Sequence, residues 1–414
     1  MNSAVKQILK LLLFAGILAW LGYGFCAIRK QINTSFVHID WYYAILAYAG
    51  LGIAALLLVD IVTTARKLNK TIRIKSWLIV LSTVLTFCAL EVLFRATNFM
   101  ATYTESRSNL YLSYFLSLEK GRFHIHQPGQ VFNMQGPEFS YPRKANSMGL
   151  DDYEPTEQKD TGEIRLITLG DSFTEGDGAP FDSSYPMQLK QMLAQQFPQR
   201  KFSLINAGIF GSDPYFDYVL LKERLLKYKP DVVLITLSTG DLFDIYYRGN
   251  MNRFKPGGKI KYKDPPWWEP VYAVSRVSRL FFKLLGYNLS MIFKYTRNTE
   301  FEKEKNDLKE LCRQHNSLAI KYNYRVVVLI RPDKDEVIKR SYFNNFEDMN
   351  NCSAGLGRVL TVDLLNYYLL QGITPENIKQ YYWQLDGHHT SLGYSYMAKG
   401  ALGTTALLVG DIEQ

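Results

Sequence analysis

Three long apolar runs dominate the first quarter of the chain. Leu11 to Ile28, Trp41 to Val59 and Ser76 to Leu90 hold eighteen, nineteen and fifteen consecutive residues without a charge. About twenty helical residues cross a hydrocarbon core roughly 30 Å thick. The pattern therefore predicts a membrane domain over 1–95 with three transmembrane helices at about 8–28, 41–63 and 76–95. The third run is interrupted at Glu91, which shares a helical face with Arg95 one turn on. Such a pair leaves the hydrocarbon together at lower cost than either charge alone. The first run ends in Phe25 and Ile28 without a small-x-small pattern, so it reads as a retained span and not a cleaved leader.

After Ala96 the periodicity is lost, and 96–160 reads as an irregular link rich in Tyr, Phe, Asn and Ser. From 161 onward, short β-branched runs alternate with segments of helical spacing. Ile164–Leu169, Phe202–Ile205, Val232–Leu237, Arg325–Ile330 and Val359–Val362 are predicted strands, and Ser184–Gln196, Tyr215–Lys227 and Phe301–Lys321 predicted helices. Strands alternating with helices imply a parallel sheet covered on both faces, so the fold class is α/β, with one domain over 161–414. The stretch 250–299 breaks the alternation as an insertion. Its part from Pro265 to Arg297 carries Trp267, Trp268, Arg276, Arg279, Phe281, Phe282, Lys283, Leu284, Leu285, Met291 and Phe293. A basic, aromatic-rich helix of this kind suits either a membrane interface or a lid packed on the sheet.

Composition narrows the classes. The 414 residues are 47% hydrophobic, 14% aromatic and 21% charged, which excludes a disordered chain and a collagen-like repeat. The net charge of +9 is spread without a run of five like charges, so no nucleic-acid arm is expected. Arg66, Lys67, Lys70, Arg73 and Lys75 stand between the second and third runs, against Arg29 and Lys30 between the first two. Basic connections stay in the cytoplasm, which predicts a cytoplasmic N-terminus and everything after Arg95 on the outer side. Cys26 and Cys88 lie in apolar runs and are expected to be buried, and Cys312 and Cys352 would pair only in an oxidising compartment. Without a CxxC or a Cys/His cluster, neither a metal site nor a cofactor is implied.

In a parallel sheet, ligands bind beyond the carboxyl ends of the strands. The first predicted strand runs into Gly170-Asp171-Ser172-Phe173-Thr174-Glu175-Gly176, which puts a serine on the turn after it. The second is followed by Asn206-Ala207-Gly208-Ile209-Phe210-Gly211-Ser212 and the third by Ser238-Thr239-Gly240-Asp241. Before the last helical segment stands Asp386-Gly387-His388-His389-Thr390-Ser391-Leu392-Gly393. A serine nucleophile needs a base to take its proton and a carboxylate to hold that base in one tautomer. Ser172, a histidine at 388 or 389, and Asp386 supply that set.

These blocks resemble those of the SGNH, or GDSL-like, hydrolases, and in particular membrane-anchored bacterial members, over about Asn146 to the C-terminus. The resemblance implies a three-layer α/β/α, flavodoxin-like domain with Ser172 as nucleophile, Asp386 and a histidine completing a triad, and the amides of Ser172 and Gly211 in an oxyanion hole. Two departures stand out. Gly240 occupies the position where the family commonly has an oxyanion-donating Asn, leaving Asp171 and Asp241 as supporting residues. Asp-x-x-His spacing selects His389 as base, whereas alignment of Gly393 selects His388, which is preferred. The implied activity is an extracytoplasmic serine esterase or deacylase of the inner membrane, acting through an acyl-enzyme on an acyl ester such as an envelope glycan or lipid. The alternatives are an acyltransferase for envelope-glycan O-acylation and a non-catalytic binding domain.

Overall fold

The computed structural model describes residues 3–34, 42–101, 125–254, 267–287 and 301–412. Its chain divides into two compact units, 1–113 with 264–298, and 114–263 with 299–414.

The first unit contains three long helices, α1 (Ser3–Thr34), α2 (Tyr42–Ala65) and α3 (Lys70–Ala96). All three are long and apolar enough to cross a membrane. They run beyond the predicted spans because charge-bearing ends such as Lys70-Thr71-Ile72-Arg73-Ile74-Lys75 continue the helix past the apolar window. On α2, Asp60 is buried and paired with Lys10 of α1 and Arg73 of α3, so one carboxylate ties the three helices together near the basic connection. The cysteines correct one expectation. Cys26 is exposed on the helix surface and Cys88 is half-buried, because the packing of the three helices leaves much of each helix surface uncovered.

Two short helices of the insertion, α8 (Glu269–Val274) and α9 (Arg276–Leu284), belong to this same unit. This part of the insertion is thus grouped with the long helices. The reason lies at the end of α3, where Glu91 is fully buried and Arg95 Nε donates to it at 2.9 Å. The Glu91 carboxylate also accepts from Ser275 Oγ at 3.0 Å and from the amides of Arg276 and Val277 at 3.0 and 3.2 Å, so it caps the start of α9. In return, Arg276 donates to Phe94 O at 3.0 Å, and Arg279 to Met100 O and Ala101 O at 2.9 Å. Each helix end thus satisfies the backbone groups left open at the other. Met291 and Phe293 lie outside the described residues.

The second unit is built on five parallel strands: β3 (Glu163–Gly170), β4 (Lys201–Gly208), β5 (Val232–Ser238), β6 (Arg325–Arg331) and β7 (Val359–Asp363). Their order is β4-β3-β5-β6-β7. Counted within the sheet this is 2-1-3-4-5, the doubly wound order whose direction reverses between its first and third strands. β3 and β5 are buried along their whole length, as near-continuous apolar runs in a parallel sheet must be. Helices α5 (Tyr185–Gln196) and α13 (Ser391–Gly410) pack together on one face. α6 (Pro214–Leu220) and α10 (Glu302–Tyr322) pack together on the other. Cys312 of α10 and Cys352 are both buried and unlinked.

The irregular link expected over 96–160 is corrected in its later part. Val131–Gln135 (β1) and Ser140–Lys144 (β2) form an antiparallel hairpin that belongs to the sheet-containing unit. Its Gly136-Pro137-Glu138-Phe139 turn is closed by the Gly136 amide donating to Phe139 O at 3.0 Å.

Candidate active site

The register sets the carboxyl ends of the strands side by side. Gly170 pairs with Gly208, and Ser238 with Arg331, so the segments that follow β3, β4, β5 and β6 emerge at one edge. β3 turns directly into the single-turn helix α4 (Ser172–Glu175), with Ser172 at its first position. Asp171 stabilises this turn by accepting from the Phe173 amide at 2.9 Å. The turn lies hard against the end of β4. A Cβ on Gly208 would stand 2.3 Å from the Glu175 backbone nitrogen, so only glycine allows the approach.

Ser172, His388 and Asp386 converge. Ser172 Oγ is 2.7 Å from His388 Nε2, and His388 Nδ1 is 2.5 Å from Asp386 Oδ1. Asp386 Oδ1 also accepts the His388 amide at 3.2 Å, which fixes the acid and ring to one local frame. Burial pulls the His388 pKa down, but the Asp386 hydrogen bond and the charges of Asp177, Asp386 and Asp171 outweigh it, leaving the imidazole above its ordinary value of 6.5. For Asp386, burial raises the pKa, but the hydrogen bond and charge of His388 hold the carboxyl below the usual range.

His389 goes elsewhere. It is fully buried, its Nδ1 lies 3.1 Å from Tyr381 O, and its Nε2 lies 3.1 Å from the Tyr368 hydroxyl. Burial lowers its pKa to about 3, so it stays neutral and braces the loop from within.

The other half of the site is sparser. The amides of Ser172 and Gly211 donate to no acceptor among the described residues. Gly240 starts α7 (Gly240–Arg248) and brings no side chain to this edge. Its φ is not in the left-handed region, and a Cβ there would meet only Ser238 Oγ, at 3.2 Å. The backbone therefore does not demand glycine. Asp241 accepts the Ser238 amide at 2.7 Å and so braces the loop, and burial pushes its pKa well up.

Several contributors carry little or no sequence signal. Glu138, in the hairpin turn, accepts from the amides of Gln384, Leu385 and Asp386 at 3.2, 2.7 and 3.1 Å. Gly136 in the same turn lies so close that a Cβ would stand 2.9 Å from Asp386 Oδ2. The hairpin thus holds the loop that carries the acid, across 246 to 248 residues of sequence. Asp177, largely buried, places Oδ2 3.9 Å from His388 Nε2. Arg331, at the end of β6, sets its guanidinium 3.6 Å above the Phe173 ring, and that ring lies 4.7 Å from His388. A charge closing an apolar strand at the ligand edge was a signal for Arg331; Glu138 had none. Among the described residues, no group of His, Cys, Asp and Glu could hold a metal ion. A cavity of about 530 Å³ lined by Arg143, Asp151, Asp152, Tyr153 and Phe181 includes none of the three converging residues.

The sheet order, the serine turn after its first strand and the Asp-x-His loop before its last helix are now together. The fold is a doubly wound α/β sheet of order 2-1-3-4-5. No known protein-family description matches the chain. An uncharacterized protein of Mycoplasma pneumoniae (strain ATCC 29342 / M129) is 33% identical over 85 residues, which is 20% of this chain and 10% of that protein. The match thus spans about a tenth of the relative's length. Among solved structures, the chain is similar to a two-domain esterase active on acetylated mannans, at 15% identity and a TM-score of 0.37, over 61% of this chain and 52% of that one. It is similar also to LAE5, an alpha/beta hydrolase from the metagenome of Lake Arreo, Spain, at 18% identity and a TM-score of 0.37, over 61% and 97%. The lipase Lip_vut3 from a goat rumen metagenome aligns at 15% identity and a TM-score of 0.38, over 59% and 97%.

Proposed function

We propose that this chain is a membrane-anchored serine esterase that works through an acyl-enzyme. The observation that carries the reading is the unbroken hydrogen-bonded series from Ser172 Oγ through His388 to Asp386, at 2.7 and 2.5 Å. His388 takes the Ser172 proton as Oγ attacks the ester carbonyl, and Asp386 stabilises the imidazolium that forms. The imidazolium then gives that proton to the departing alkoxide oxygen. Water, deprotonated by the same ring, releases the acid and restores the serine. The amides of Ser172 and Gly211 hold the oxyanion, without the side-chain donor that Gly240 lacks.

The five basic residues around the α2–α3 turn, Arg66 and Lys67 in the turn and Lys70, Arg73 and Lys75 in the first turns of α3, against Arg29 and Lys30 near the end of α1, support an outer-facing catalytic domain that meets envelope esters. The test uses the full chain in detergent, with a fluorophosphonate probe and a short acyl ester. Ser172→Ala is expected to abolish both labelling and turnover, and unchanged hydrolysis by that variant would refute the reading.

A further inference from the structure

The helical pair α8–α9 has two apolar sides, and only one of them is covered. On the covered side, Trp268 stacks on Phe282 at 4.2 Å, and Tyr272 and Tyr287 meet that ring edge-on at 5.5 and 5.4 Å. On the other, Phe281, Leu284 and Leu285 are 61%, 77% and 48% exposed. Their i, i+3, i+4 spacing makes one stripe along the helix. Trp267 and Val271, both exposed, add to the uncovered surface beside α8.

The level of this stripe relative to the lipid is fixed by the contacts at the end of α3. Glu91 caps the first turn of α9, and Arg276 and Arg279 reach the carbonyls of Phe94, Met100 and Ala101, where the third span finishes. A further tie runs from Arg95 to Val274 O at 2.7 Å. An apolar stripe held where a span leaves the hydrocarbon stands at the boundary between acyl chains and headgroups. There, large apolar side chains sink inward and an exposed lysine such as Lys283 can extend to the phosphates.

We propose that the Phe281–Leu284–Leu285 stripe is a lipid-contacting surface, so that the insertion anchors the chain in the outer interfacial layer in addition to the three spans. The occupant is bilayer lipid, because the stripe belongs to the same packed unit as the span surfaces and is tied to the end of one of them. The proposal stands on the first unit alone and does not depend on esterase activity.

The experiment uses the full chain in phosphatidylcholine vesicles, with Cys26 and Cys88 replaced by alanine. An environment-sensitive nitrobenzoxadiazole dye is attached at Leu284→Cys and, as a control, at the exposed Glu310→Cys of α10. At position 284 the emission should shift to the blue and be quenched by lipids carrying a headgroup-proximal nitroxide, while at 310 it should do neither. Emission at 284 like that at 310 would overturn the proposal. As a second measurement, a photoreactive benzoylphenylalanine replaces Phe281, an aromatic for an aromatic. Lipid adducts are expected, and cross-links joining two copies of the chain would overturn the proposal by making the stripe a self-association surface.

Discussion

The two sides of the candidate site are unequally furnished. On the acid–base side, each group has a partner: Ser172 meets His388, His388 meets Asp386, and Glu138 grips the amides of the loop that carries Asp386. On the proposed oxyanion side, the amides of Ser172 and Gly211 have no acceptor among the described residues and Gly240 brings no side chain. A site so divided is built to generate a nucleophile and is weakly equipped to stabilise the charge that the nucleophile creates. Substitutions on the first side should therefore remove activity, and one on the second should add it.

After Ser172→Ala, the largest loss is expected from Asp386→Asn. It keeps the shape but removes the charge that holds the tautomer, and should lower kcat about 10⁴-fold with little change in KM. Gly240→Asn tests the other side. Because a Cβ at 240 meets only Ser238 Oγ, the side chain can be housed, and a correctly placed donor should raise kcat by about 10²- to 10³-fold. No gain at all would mean that the oxyanion is held elsewhere.

Glu138→Ala sharpens the contrast by loosening the loop that carries Asp386 without altering Ser172, His388 or Asp386. A loss of about tenfold in kcat is expected. Glu138→Gln, which keeps one acceptor oxygen, should recover part of it.

The pH profile follows from His388. As the base it must be neutral, and its pKa lies above 6.5, so kcat/KM should fall on the acid side with an apparent pKa above that value. The smallest effect is on stability and comes from His389. Its folded pKa near 3 lies below the unfolded value, so the unfolded chain binds a proton that the folded one refuses. Its contribution is complete above about pH 6.5 and is lost as the pH falls towards 3. His389→Gln should flatten that slope by up to about 1.4 kcal/mol per pH unit, as read by denaturant unfolding across the range.

Adjacent histidines show what was legible beforehand. Both sit in the same eight-residue block, and spacing alone favoured different ones by different criteria. The structure turns one towards Ser172 and the other into the core, because Tyr368 and Tyr381 offer the second ring its partners. The five sheet strands were readable because buried parallel strands are short β-branched runs. The β1–β2 hairpin was not, since its strands mix Asn, Gln, Pro, Arg and Lys, and its role depends on contacts more than 240 residues away. The insertion was ambiguous for a related reason. An amphipathic helix announces a face to be covered but not by what, and the deciding carboxylate, Glu91, lies 185 residues before Arg276.

That carboxylate has a practical consequence. The polypeptide passes between its two units three times, at 113/114, 263/264 and 298/299, so a cut after the third span does not free the sheet domain cleanly. A fragment starting near 114 would still contain 264–298, now with Arg276 and Arg279 deprived of their carbonyl acceptors and Trp268, Tyr272 and Phe282 without the scaffold they were folded on. Such a fragment is suited to aggregation. A water-soluble version requires two excisions, with a short polar bridge joining the ends where the second segment was removed.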